Sequence, residues 1–170
     1  SKSLLDIVVT SFSSVDQKSL NYNFLLFYTS LAKIIDSTND KASLIKGELF
    51  LNVEQSKVAE ETFLNIKATS PYYLDAQRSL AINYSNFLPY DEALTKIKIL
   101  MKNNNNHYSI KTILADFYRV NKKFKLAIQL YSEMITQKED DLWNIYYRRG
   151  ICYERSGEWN KAEKDFLKSL

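Results

Sequence analysis

Residues Trp143–Leu170 read WNIYYRRGICYERSGEWNKAEKDFLKSL. Within this stretch Tyr153, Gly157, Trp159, Ala162 and Phe166 follow Gly150 at 3, 7, 9, 12 and 16 residues. Steps of three and four on either side of Ser156-Gly157 describe two amphipathic helices joined by a tight turn. The small residue on the first helix and the alanine on the second let the two backbones approach. The aromatic residues one helical step away fill the space around that contact.

The same pattern recurs toward the N-terminus. Ala162 has counterparts at Ala127, Ala93 and Ala59, at steps of 35, 34 and 34 residues. Twelve residues before each alanine stands a small residue, namely Gly47, Ala81, Ala115 and Gly150, and nine before stands an aromatic, Phe50, Tyr84, Tyr118 and Tyr153. Four after each comes Phe63, Ile97, Tyr131 or Phe166, and seven after come Ile66, Leu100 and Met134, with Ser169 as the exception. Three before the alanine, where an aromatic packs under the turn, Tyr90, Phe124 and Trp159 fit and Ser56 does not. A period in this range marks an array in which each helix pair covers the next.

These residues resemble the tetratricopeptide repeat (TPR) family. The resemblance divides residues 40–170 into repeats at 40–73, 74–107, 108–142 and 143–170, the last one truncated. Residues 1–39 stand as a diverged helical pair of the same continuous domain; shifting the register back 34 residues puts Leu25 at the alanine position and Ser13 at the small-residue position, while Asp16 departs from the aromatic one. The implied fold is all-α, a right-handed superhelical solenoid of antiparallel helix pairs. The first residue is not Met and the last repeat is incomplete, so the chain reads as excised from a longer bacterial protein.

Composition agrees with that class. The chain has 170 residues, of which 45% are hydrophobic and 25% charged, and only three glycines and two prolines, too few for the turns of an all-β sandwich. The formal charge of +3 leaves residues 1–70 with 7 basic against 8 acidic side chains and residues 71–170 with 16 against 12. Because acids are interspersed throughout, no nucleic-acid partner is expected. No apolar run reaches the ~18 residues of a membrane span. One cysteine, Cys152, excludes an internal disulfide framework and leaves the compartment open.

Local signals place the helices. Phe24, Phe27, Tyr28, Leu31, Ile34 and Ile35 form an apolar stripe along Leu20–Ile35, and Leu4, Leu5, Val8 and Phe12 keep helical spacing nearer the N-terminus. Thr69-Ser70-Pro71 supplies a capping hydroxyl and a proline at the start of a helix over Tyr72–Tyr84, Leu88-Pro89 falls in a turn, and Asn103–Asn106 is a linker of poor helix formers. Trp159 and Phe166 are expected to pack inward on their own first helix, leaving an exposed apolar patch around Leu167 and Leu170.

Catalytic chemistry finds little to work with. His107 is the only histidine and follows the asparagine run, where it reads as a solvated loop residue rather than a general base. Cys152 reads as a small packing residue, although Arg148, Arg149 and Arg155 nearby could depress a thiol pKa. The chain is therefore read as no enzyme, with no cofactor and no metal.

The resemblance implies binding on the concave face, lined by positions 2, 5, 9 and 12 of each first helix. In this sequence the candidates are Lys41, Leu44, Glu48, Arg78, Ile82, Thr112, Asp116, Arg119, Asn144, Tyr147, Ile151 and Glu154. Mixed charge and apolar residues suit an extended peptide or a partner helix. Chaperone-binding relatives hold a C-terminal carboxylate with Lys, Asn and Arg, whereas the corresponding places here hold Leu44, Glu48, Ile82, Thr112 and Asp116; an Hsp70 or Hsp90 tail is not the expected ligand. The leading reading is a protein–protein interaction scaffold. The alternatives are a structural spacer or self-association segment acting through the truncated C-terminal helix in a bacterial envelope assembly, and a helical-repeat RNA binder.

Overall fold

The computed structural model describes residues 22–137 and 142–170. Among them the chain is helical without strands: α1 Tyr22–Ile35, α2 Asp40–Asn52, α3 Ser56–Leu64, α4 Tyr73–Phe87, α5 Tyr90–Asn103, α6 Tyr108–Val120, α7 Phe124–Thr136, α8 Trp143–Arg155 and α9 Trp159–Lys168. They fall into two compact units that divide between Phe87 and Leu88. The spacing read at Leu4–Phe12 lies outside the described residues.

In the first unit α2 and α3 pack as a pair through the small residue Gly47. A Cβ built on Gly47 would lie 2.4 Å from Cε1 of Phe63, so the ring occupies the volume a larger residue would need. Ala59 and Phe63 are fully buried beneath it. The next helix, α4, covers α3 with Ala76, Leu80 and Tyr84, all buried. Ser56, the misfit of the repeat pattern, has a specific partner there: its hydroxyl donates to Oδ1 of Asn83 at 2.8 Å, while Asn83 Nδ2 donates to the Ser56 carbonyl at 3.1 Å. This reciprocal pair replaces an aromatic residue with a satisfied polar contact.

Helix α1 corrects the sequence reading. The residues it buries are Leu25 and Thr29, and Leu25 packs with Leu49 of α2 among Tyr22, Tyr28 and Ile45. Phe24, Phe27, Ile34 and Ile35 of the expected stripe are exposed. Thr29 is tolerated inside because its hydroxyl donates to the carbonyls of Leu25 and Leu26, at 2.9 and 3.1 Å. The buried face of α1 is thus the one carrying Leu25 and Thr29, rotated from the stripe that the periodicity marks.

The second unit repeats the scheme. Tyr131 and Met134 of α7 are fully buried beside Ala127 and Ala115, and Phe166 of α9 lies over Gly150 of α8, 2.7 Å from where a Cβ would stand. Tyr90 stacks on Phe117 with ring centroids 5.2 Å apart. Trp159 does not turn inward as expected; it is 64% exposed.

The three turns within helix pairs α2–α3, α6–α7 and α8–α9 share one device, which recurs after α5 where Asn106 N donates to the Met101 carbonyl at 2.8 Å. Glu54, Lys122 and Gly157 each adopt a left-handed backbone, with φ of 60°, 59° and 77°, just past a helix C-terminus. The amide of the following residue donates back to Phe50, Tyr118 or Tyr153 at 2.8, 2.8 and 2.9 Å, which is the Schellman arrangement. Asn105 and Asn106 likewise take positive φ, which asparagine accepts more readily than most residues. At the other linker, Ser70 Oγ accepts from Tyr72 N at 3.2 Å, and α4 begins at Tyr73, two residues beyond Pro71.

Only one of the three turns has glycine at this position. Lys122→Gly is therefore expected to stabilise the chain by about 0.5–1 kcal/mol, the left-handed strain relieved less the added freedom of the unfolded backbone. Chemical denaturation measures it; a loss of stability would show that Lys122 does more than close the turn.

Candidate functional site

The candidate residues stand at helical steps along α2 and α4 in the first unit and along α6 and α8 in the second; among them Glu48 lies near Arg78, and Asp116 pairs with Arg119. In the first, Glu48 on α2 lies beside Arg78, Asp75 and Ser79 on α4. Burial lifts the Glu48 carboxyl above the usual range, opposed by the charge of Arg78 and a hydrogen bond from Ser79, while Asp75 adds to the rise. Lys41 and Leu44 are half-buried on the same helix, and Arg78 and Ile82 are exposed on its neighbour.

In the second unit Asp116 is a hub. Its Oδ1 accepts from Arg119 Nε and Nη2, at 3.2 and 3.1 Å, and from the Tyr131 hydroxyl at 2.7 Å. Its Oδ2 accepts from Nη1 of Arg148, so one carboxylate links α6 to α7 and to α8. Burial raises the Tyr131 phenol, and the charge and hydrogen bond of Asp116 raise it further. Burial works against the charge of Arg119, but its hydrogen bond to the Tyr131 oxygen and the charge of Asp116 outweigh it and raise its pKa. Two guanidiniums around one carboxylate leave this face with a positive excess.

The remaining candidates are placed less uniformly. Thr112 is half-buried with its hydroxyl donating to the Tyr108 carbonyl at 3.0 Å. Asn144 turns its side-chain oxygen inward, where it takes no hydrogen bond among the described residues. Tyr147 is exposed, and Ile151 and Glu154 are half-buried.

Sequence reading missed Arg148, one residue beyond the expected stripe position at Tyr147. A long guanidinium reaches across to α6 from a position that helical spacing assigns to the flank. It also missed Arg149, whose fork donates to both Asp165 oxygens, at 2.6 and 2.8 Å, and whose Nη1 donates to Ser132 Oγ at 2.9 Å. Arg149 lies between the rings of Tyr146 and Tyr153, each 5.6 Å away. With five donors largely used and two aromatic faces for cover, this buried pair ties α7, α8 and α9 into one block.

The two groups most suited to catalysis are engaged elsewhere. His107 Nδ1 accepts from Ser109 N at 3.3 Å and caps α6, a role the loop assignment missed. Cys152 is fully buried, and burial pushes its thiol up to about 11, with Arg119 pulling down and Asp116 pushing up. Among the described residues no cluster of His, Cys, Asp and Glu is arranged to hold a metal ion, and no helix is long and apolar enough to cross a membrane.

A thiol raised to about 11 is ionised to only about one part in a thousand at pH 8. Cys152 in the native chain should therefore react with a thiol-disulfide reagent at least about a hundredfold more slowly than in denaturant; rapid stoichiometric labelling of the folded chain would contradict its burial. Because the folded state favours the protonated thiol, this group's contribution to stability is complete below the ordinary thiol pKa and is lost as pH rises through about 11.

No family model and no curated protein matches the chain. Solved structures do. A crystal structure of MamA is similar over the whole of this chain and 94% of its own, at 17% identity and a TM-score of 0.68. A thermophilic TPR protein of Thermus thermophilus matches 98% of this chain and 88% of its own, at 16% identity and a TM-score of 0.68. A tetratricopeptide repeat protein of Parabacteroides merdae matches 98% of this chain and 72% of its own, at 14% identity and a TM-score of 0.63. Likeness at these identities is a likeness of architecture, and it agrees with the helix pairs described above. The chain has the all-α tetratricopeptide-repeat solenoid fold.

Proposed function

We propose that the chain is a non-catalytic scaffold that holds an extended peptide, or a segment of a partner protein, along the first helices of its repeats. On this reading residues 40–73, 74–107, 108–142 and 143–170 are the repeats, and residues 1–39 are a diverged pair that continues the array.

The observation that carries the proposal is the state of the charged groups on those helices. Asp116 is held by Arg119 and Arg148, and Glu48 lies within the field of Arg78, with apolar side chains such as Leu44, Ile82 and Ile151 on the same helices. Groups already oriented by neighbours lose little freedom when a ligand arrives. Apolar side chains between them supply contact area, and the charges select register and partner. The structural employment of His107 and Cys152 supports a binding role over a chemical one.

Arg78 and Ile82 test the face with little risk to the fold, because both are exposed. Peptides selected from a random display library on the intact chain should bind Arg78→Gln and Ile82→Asp variants about tenfold or more weakly, with the helical circular-dichroism signal of the folded chain retained. Selected peptides that bind both variants as tightly as the parent chain would place the ligand elsewhere.

A further inference from the structure

Helix α8 carries two adjacent arginines, and each takes an aspartate, but the two pairs are built differently. Arg149 and Asp165 match one cation to one carboxylate: the fork meets both oxygens, and the two side chains are only 15% and 5% exposed. Such a pair is neutral, closed and structural. Asp116 instead serves two cations, and these stay within reach of solvent, Arg119 at 28% and Arg148 at 34% exposure.

Donors outnumber acceptors around Asp116. Its carboxylate accepts from Nε and Nη2 of Arg119, from the Tyr131 hydroxyl and from Nη1 of Arg148, which fills the roughly four lone-pair directions a carboxylate offers. Arg148 spends only Nη1 there, and its Nε and Nη2 meet no acceptor among the described residues. The carboxylate is therefore saturated while Arg148 is not, and one positive charge of the cluster has no counterpart within it. Glu154, the other acid of that stripe, stands six residues beyond Arg148, about 9 Å along the helix axis, and leaves this excess in place.

The cluster is also held still. Tyr131 is fully buried and spends its hydroxyl on Asp116, and Asp116 in turn fixes arginines from two different helices, α6 and α8. An anion arriving there meets cations that have already lost most of their rotamer freedom. Tyr147, exposed, and Ile151, half-buried, flank Arg148 along α8 and supply apolar contact beside the charge.

The first unit lacks this excess. The charges acting on Glu48 are those of Arg78 and Asp75, so acids outnumber the guanidinium there. An acidic ligand residue is thus favoured beside Asp116 and disfavoured beside Glu48.

We propose that the Asp116 cluster receives an aspartate or glutamate side chain of the bound peptide, whose carboxylate accepts from Arg148 on α8 and Arg119 on α6. This assignment rests on the first-helix reading and adds the chemistry of one ligand residue to it. The group recognised is a side chain, so no free C-terminus is required.

The probes are acetylated, amidated peptides taken from display selections on the intact chain, each remade with its glutamates changed to glutamine or its aspartates to asparagine, one at a time. Fluorescence anisotropy follows their binding. Against the parent chain, neutralising one acidic position should weaken binding about tenfold, as expected for hydrogen bonds to a charged group. Against Arg148→Gln the same change should cost less than about twofold, because the partner is gone. Arg148→Lys, which keeps the charge without the fork, should fall between. If Arg148→Gln lost its helical circular-dichroism signal, Arg119→Gln would make the same comparison from α6. Equal losses in parent and variant, or selected peptides without Asp or Glu, would overturn the assignment; continued weakening of those peptides by Arg78→Gln and Ile82→Asp would then leave the first-helix reading standing. No binders, or binders indifferent to every one of these variants, would overturn both.

Discussion

Two antiparallel helices can lie this close only where one of them carries no side chain or a very small one. At Gly47 and Gly150 the ring of a phenylalanine sixteen residues later fills the volume of the missing Cβ. An alanine on the second helix, Ala59 or Ala162, keeps the other half of the contact small. In the third repeat the small residue is Ala115 and the large one Tyr131, which is fully buried and spends its hydroxyl on Asp116. The large residue of the pair thus differs between repeats, while a small partner at the point of approach is kept.

Close pairs of this kind set where the first helices stand and therefore what their outer side chains can reach. In the second unit Arg148 of α8 reaches Asp116 of α6, and Arg149 of the same helix grips Asp165 of α9 and Ser132 of α7. Adjacent arginines on one helix consequently face opposite neighbours: one orients the candidate binding face and the other locks the pair behind it. Removing a partner from the buried Arg149–Asp165 fork would leave an uncompensated charge inside the repeat, which is why such a pair tolerates little change.

Much of this was legible in the sequence because the contact is made by residue types with few substitutes. Four alanines in register, each preceded by Gly or Ala at twelve residues, define the pairs before any coordinate is known. Exceptions arose where polar residues found private partners. Ser56 departs from the aromatic pattern because Asn83 binds it, and Thr29 is buried because its hydroxyl satisfies itself on α1. The apolar stripe of α1 misled for the same reason: periodicity counts hydrophobic residues, whereas burial follows what α2 offers, and α2 offers Leu49 and Ile45 to Leu25. At the candidate site, spacing found the stripe but missed Arg148, whose reach depends on side-chain length. Trp159 was read as inward from its place in the pattern, although what buries that place in the first repeat is the following helix.

Whether the ring-on-glycine contact holds each helix pair together is tested most directly by a double-mutant cycle on Gly47 and Phe63. Gly47→Ala alone should destabilise the chain by about 1–3 kcal/mol through overpacking. In a Phe63→Leu background, where the ring is gone, the same substitution should cost nothing or be favourable, because alanine is the better helix former. A coupling of about 1 kcal/mol or more between the two positions is the predicted result. Additive effects, with Gly47→Ala costing the same whether or not residue 63 carries a ring, would contradict a fold held together at that contact.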